Sequence, residues 1–217
     1  MRFNLEREAL LASGIKRKGL VLDYLSKLSA LYRQFGLEVK PPCDLLPRAQ
    51  ALFDWLWAKK PHRYQSGGAY RLHAVIDTQL DPDAHTVGNC LGLTVLYNCL
   101  LRTTGINAQA LYLETAFGKG PHVLTLLPTE KSSIDIEHIS PQGFDYKGHL
   151  RNSARTRWGD KELIADIYHS RGNDAFVKGD YGEALKNYDM ALSLNPGYER
   201  ALLNRAILSD RIGLESK

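Results

Sequence analysis

Residues 86–113 read Thr-Val-Gly-Asn-Cys-Leu-Gly-Leu-Thr-Val-Leu-Tyr-Asn-Cys-Leu-Leu-Arg-Thr-Thr-Gly-Ile-Asn-Ala-Gln-Ala-Leu-Tyr-Leu, and their pattern decides the fold. Gly88 and Asn89 are turn formers, residues 91–101 are apolar almost all the way round, Gly105 punctuates, and residues 108–113 can run as a strand. The predicted order is turn, buried helix, stop, strand. Cys90 falls in the first turn of that helix, where unpaired backbone N–H groups and the positive end of the macrodipole favour an anion. A thiol so placed is a candidate nucleophile. Read without its surroundings, Cys90 is one small core hydrophobe among many.

Downstream, His122 opens the apolar run His-Val-Leu-Thr-Leu-Leu, and Ile-Asp-Ile-Glu from Ile134 offers Asp135 and Glu137. Thiol, imidazole and carboxylate are the parts of an activated nucleophile. The two runs read as a hairpin. A four-residue loop over 128–131 sets Leu127 opposite Ser132 and therefore His122 opposite Glu137, with Asp135 diagonal on the same face. A two-residue Pro128-Thr129 loop would pair His122 with Asp135 instead, but it lacks the Gly or Asn that such turns favour.

The chain has 217 residues, 44% of them hydrophobic and 24% charged, which is a globular composition with room for one ordinary domain and a small second one. No apolar run approaches the ~18 residues of a membrane span and no export signal is visible, so a cytoplasmic protein without membrane contact is expected. Cys43, Cys90 and Cys99 are too few and too odd in number for a disulfide framework. Cys90 and Cys99 also point to opposite sides of one helix, so they form neither a bridge nor a ligand pair. No cofactor and no metal ion is expected. The net charge of +4 is mild; its densest patch, Arg151, Arg155, Arg157 and Lys161 around Trp158, reads as a solvated linker and not as a nucleic-acid surface.

Before the organising stretch, helices are predicted near residues 5–12, over residues 20–35 with Gly36 as the stop, and after Asp44 until Pro61. Residues 70–80 suit either a helix or an extended segment. Gly118 and Gly120 mark a loop that delivers His122 to a strand. From Ala165 the character changes: Gly172, Ala175, Gly179-Asp180-Tyr181, Ala184, Tyr188, Ala191 and Pro196 are the small-residue pattern of a tetratricopeptide repeat, with Arg171 and Ala175 as departures. A second repeat begins at Glu199 with Leu202 and Ala206 in matching places, and supplies one helix.

With these residues in place, the chain from about Leu52 to Tyr146 resembles the transglutaminase-like superfamily, and within it the bacterial SirB1-like branch, whose members often carry tetratricopeptide repeats after the core. The resemblance rests on Arg-Leu-His-Ala-Val-Ile-Asp from Arg71, Gly-Asn-Cys-Leu-Gly-Leu-Thr-Val-Leu-Tyr from Gly88, the Gly105-Ile106 exit, His122 heading a strand, and Ile-Asp-Ile-Glu running towards Gly143. It implies an α+β fold with a papain-like core, in which a cysteine-bearing helix packs on an antiparallel sheet. The expected division is a helical part over 1–60, the core over 61–150, a linker over 151–164 and repeat helices over 165–217.

The resemblance also implies roles. Cys90 is the nucleophile, His122 the base, and Glu137 or Asp135 the orienting acid; the family's usual acid is an Asp before Pro, which neither residue is. The oxyanion hole would use the Cys90 N–H with Asn89 or His85 as the second donor. The implied function is acyl transfer or hydrolysis on an amide or peptide, with the repeat docking a protein partner. A binding module that has the core but no turnover is the alternative.

Overall fold

The computed structural model describes residues 3–130 and 132–215. The chain divides into two compact units, 1–158 and 159–217. Among the described residues no helix is long and apolar enough to cross a membrane.

The first unit opens with α1 (Leu5–Ala12), α2 (Lys18–Val39), α3 (Leu45–Lys59) and α4 (Leu72–Leu80). The side chain of Asn4 caps α1 by accepting the Arg7 N–H at 2.7 Å. Ser13, which ends α1, accepts the Leu72 N–H at 2.8 Å and so caps α4 from another element. That tertiary cap is why residues 72–80 settle as a helix. Gly36 does not stop α2. The helix runs one turn further because Glu38 accepts hydrogen bonds from Trp55 at 2.8 Å and Lys59 at 2.9 Å, and the stop falls to Lys40 in a left-handed conformation at φ 49°. Asp44 sits at the head of α3 but makes no side-chain cap; Arg48 folds back there onto the carbonyls of Pro42 and Cys43.

α5 (Cys90–Thr103) is the central element, buried continuously from Leu91 to Leu101. A four-stranded antiparallel sheet follows: β1 (Gln109–Leu113), β2 (His122–Pro128), β3 (Ser133–Ile136) and β4 (Arg155–Trp158), in the order β3-β2-β1-β4. α5 is bound to β2 by polar contacts. Thr94 donates to the Val123 carbonyl at 3.2 Å, and Thr125 donates to the Asn98 side chain at 2.7 Å. Four helical residues rise about 6 Å and two strand residues about 6.6 Å, so the helix and the strand keep step. Stepping back once along each brings Cys90 to the start of β2. Its spacing with Thr94 and Asn98 places Cys90 on the helix face turned to that strand.

The hairpin register differs from the expected one. Leu127 pairs with Ile134 and Thr125 with Ile136, two residues further along than the loop over 128–131 required. Thr129 and Ser132 close the turn through mutual hydrogen bonds, so Pro128 ends β2 and does not open the loop. Lys131, which belonged to the expected loop, lies outside the described residues. A shift of two preserves the face on which every side chain lies. Glu137 and His122 therefore still share one face.

The stretch expected as a solvated linker forms β4. Tyr112 stacks on Trp158 with ring centroids 4.1 Å apart, and Arg155 pairs with Asp135. The basic residues are in part structural, which a charge count does not reveal.

The second unit holds α6 (Asp160–Val177), α7 (Tyr181–Leu194) and α8 (Glu199–Glu215). A Cβ on Gly172 would lie 2.4 Å from the Tyr188 ring, so the glycine sets how closely α6 and α7 approach. Tyr188, Ala184, Ala175 and Leu208 form the apolar core of the unit. Arg171, a departure from the repeat pattern, is held by Glu183 at 3.0 Å.

Candidate functional site

The site is built where α5 begins. The N-terminus of the helix is crossed by the backbone of Ala69, whose carbonyl accepts the Asn89 N–H at 3.0 Å. A Cβ on Gly92 would stand 2.4 Å from that carbonyl oxygen, and one on Gly88 2.6 Å, so both glycines are required by the approach. Asn89 caps the helix by accepting the Gly92 N–H at 3.0 Å. Leu93 bonds to the Asn89 carbonyl, which leaves the N–H groups of Cys90 and Leu91 as the forward-facing donors of the first turn. Cys90 is half-buried and free, while Cys99 is buried and Cys43 exposed.

His122 arrives from a loop closed by the Ala116 N–H on the Gly120 carbonyl, with Gly118 and Gly120 in left-handed conformations. Its Nε2 lies 2.9 and 2.8 Å from the two oxygens of Glu137. The carboxylate occupies Nε2, so Nδ1 is the nitrogen left to exchange a proton with sulfur. Burial alone would lower the pKa of this imidazole. Hydrogen bonds with Cys90 and Glu137 and the charge of both outweigh that and lift it to about 9. Glu137 shows the mirror image. Burial opposes its charge, yet hydrogen bonds from His122 and His149 hold it down at about 2. At neutral pH the site is an imidazolium held between the Glu137 carboxylate and the Cys90 sulfur.

Glu137 is fixed from behind. Its N–H donates to the Gly143 carbonyl at 2.8 Å, and its carboxylate also accepts the Ile139 N–H at 3.3 Å. A Cβ on Gly143 would fall 1.8 Å from the Glu137 carbonyl oxygen. Gly143→Ala is therefore expected to cost about 1–3 kcal/mol, as overpacking does, and to displace Glu137. A thermal melt of the variant tests this, and an unchanged midpoint would sink it.

Asp135 is placed elsewhere. Its two oxygens take Arg155 at 2.7 and 2.9 Å, and Arg155 also donates to the His149 carbonyl at 2.9 Å. The carboxylate in contact with His122 is Glu137, and Asp135 braces the segment behind it. Asn89 spends its side-chain oxygen on the helix cap, and His85 is exposed in a turn. His138, next to Glu137, is buried against Tyr97 and Phe53; burial and the Arg63 charge push its pKa down to about 3, so it stays neutral.

Three further residues complete the site, and none was singled out from the sequence. His149 Nε2 lies 2.9 Å from Glu137, giving the carboxylate a second imidazole. The donor atoms of His122, Glu137 and His149 lie within 4.8 Å of one another, close enough to share a metal ion. Phe117 packs edge-on against both imidazoles, with centroids 5.5 and 4.9 Å away, from a left-handed backbone at φ 54°. That conformation is strained for a bulky residue. Tyr64 pairs with Gly88 in an isolated bridge, and its phenol feels the charges of Cys90 and Glu137, with burial as the main cause of its raised pKa. All three sit on irregular chain, where no periodicity marks them; a lone aromatic between turn residues was the one signal for Phe117.

The tetratricopeptide repeat family matches residues 165–198. No curated protein and no solved structure matches the chain. Residues 165–198, which take in most of α6 and all of α7, are thus a tetratricopeptide repeat, which suggests a protein-interaction module.

Proposed function

We propose that the first unit is a transglutaminase-like cysteine enzyme with a papain-like core, acting on an amide or peptide carbonyl, and that the repeat docks a protein partner. The observation that carries the reading is the chain of contacts from Cys90 through His122 to Glu137 at the start of α5. With the Cys90 proton on Nδ1 of His122, the sulfur attacks the carbonyl, and the N–H groups of the first helical turn stabilise the oxyanion. His122 then passes its proton to the departing amine, and a thioester remains on Cys90. Water or a second amine attacks the thioester, giving up its proton to His122 and releasing Cys90. Glu137 keeps Nδ1 of the imidazole aimed at sulfur throughout.

The test is brief labelling with a small alkylating agent near neutral pH, read by mass spectrometry. Modification is expected mainly on Cys90 and little on Cys99, and His122→Ala should remove the preference. Acyl-enzyme trapping from extract, compared with Cys90→Ala, then identifies the substrate. If Cys43 reacts while Cys90 does not, the catalytic reading fails.

A second reading, a binding module without turnover, is favoured by one observation. Phe117 packs edge-on against both imidazoles and so covers ring surface beside Glu137. Under that reading Cys90 stays inert even to a small reagent.

A further inference from the structure

A triad needs one imidazole on its carboxylate, and Glu137 has two. His122 approaches its Oε2 at 2.8 Å and His149 approaches the same oxygen at 2.9 Å, both through Nε2. The three residues come from the start of β2, the end of the β3 run and the segment before β4. All are buried, at 7%, 0% and 5% exposure for His122, Glu137 and His149. Nothing in the acyl-transfer chemistry uses the second imidazole.

Two imidazole nitrogens and one carboxylate oxygen, with a fourth position open, form a ligand set that zinc-class ions accept. We infer that His122, Glu137 and His149 form a binding site for a divalent transition ion of the zinc class, and that the ion silences Cys90. The silencing half rests on the catalytic reading above.

A tetrahedral shell of ~2.0–2.1 Å bonds places its ligand atoms about 3.3 Å apart, so the two contacts on Glu137 must open by roughly half an ångström while the imidazole nitrogens, within 4.8 Å of each other, settle to the same spacing. The supporting shell is already present. The Ile139 N–H orients the carboxylate, Arg155 holds the His149 backbone, and Phe117 with Tyr146 walls the imidazoles with aromatic surface. On coordination each Nε2 gives its lone pair to the metal, the displaced protons go to solvent, and no electron is transferred. His122 keeps its remaining N–H on Nδ1. With Nε2 on the metal and Nδ1 protonated it cannot accept the thiol proton, and Glu137 is neutralised by the ion.

The experiment uses the full chain, stripped with a chelator that is then removed. Zinc is added up to one equivalent, with X-ray absorption at the zinc edge to read the shell and alkylation of Cys90 to read the thiol. Expected are one bound zinc in a nitrogen and oxygen shell with imidazole scattering, and at least about 10-fold slower alkylation that the chelator restores. His149→Gln should weaken binding by at least about 10-fold, since even outer-shell partners are worth that much. Absence of stoichiometric binding, a sulfur in the shell, equal binding by His149→Gln, or unchanged alkylation with zinc bound would each overturn the inference. The absorption measurement needs no variant, so a misfolded His149→Gln does not block the decision. Cys90 that is inert before zinc is added overturns the catalytic reading and the silencing with it, and the zinc shell then decides the site by itself. Reactive Cys90 with no zinc binding leaves catalysis standing and removes the metal.

Discussion

Glu137→Gln is expected to lower the stability of the first unit by about 3–5 kcal/mol and to abolish the selective reactivity of Cys90. The amide leaves a buried imidazolium without its counter-charge, and the penalty of an uncompensated buried charge is what sets that magnitude. In a unit of this size each kcal/mol moves the melting midpoint by about 2–4 °C, so a drop of roughly 6–20 °C should be visible. The pH profile gives an independent reading. The pKa of His122 is raised from 6.5 to about 9, so its contribution is complete below about pH 6.5 and is lost as pH climbs through 9. The pKa of Glu137 is lowered from 4.5 to about 2, so its contribution is complete above about pH 4.5 and is lost as pH falls through 2. Both describe one interaction, whose plateau lies between about pH 4.5 and 6.5. Chelator-treated wild type should be most stable there, and Glu137→Gln should flatten the curve. A variant that melts like the wild type across that window would refute the pair as the centre of the site.

Asp135→Asn is expected to separate stability from chemistry. The substitution breaks a bidentate pair in which Asp135 is 1% and Arg155 22% exposed at the side chain. Charged hydrogen bonds contribute about 1.5–3 kcal/mol, and the partial exposure of Arg155 puts the expected loss at the lower end. The contacts of His122 do not pass through Asp135, so the rate of Cys90 alkylation should stay within about 2-fold of the wild type, a change worth less than one hydrogen bond. Loss of alkylation with Asp135→Asn, and its retention with Glu137→Gln, would transfer the orienting role to Asp135.

Much of the local architecture of this site is legible in the sequence. The Gly-Asn turn ahead of an all-round apolar run located the first turn of α5, because capping and burial are local and leave local signatures. The hairpin expected from the sequence is off by two in register, yet Glu137 still meets His122, because side chains alternate with a period of two. What the sequence withheld depended on distant partners. Trp55 and Lys59 extend α2 past Gly36, Ser13 caps α4, and Asp135 draws Arg155 into a strand out of what reads as a solvated basic run. His149 belongs to the same class, since its place is set by the path of irregular chain and not by any period.

The strand order gives the site a sequence of assembly. β1, β2 and β3 are consecutive neighbours joined by short connections, so closing them costs little chain entropy, and closing them already brings His122 to Glu137. β4 must return across the whole hairpin to set Arg155 against Leu113, and contacts of longer sequence separation are slower to form. The segment that carries His149 is held by Glu137 and, at its backbone, by Arg155, so the second of these ties forms when β4 docks. A chain still unfinished before Arg155 already contains the thiol and both of its immediate partners. The Arg155 clasp on its second imidazole waits for the last strand.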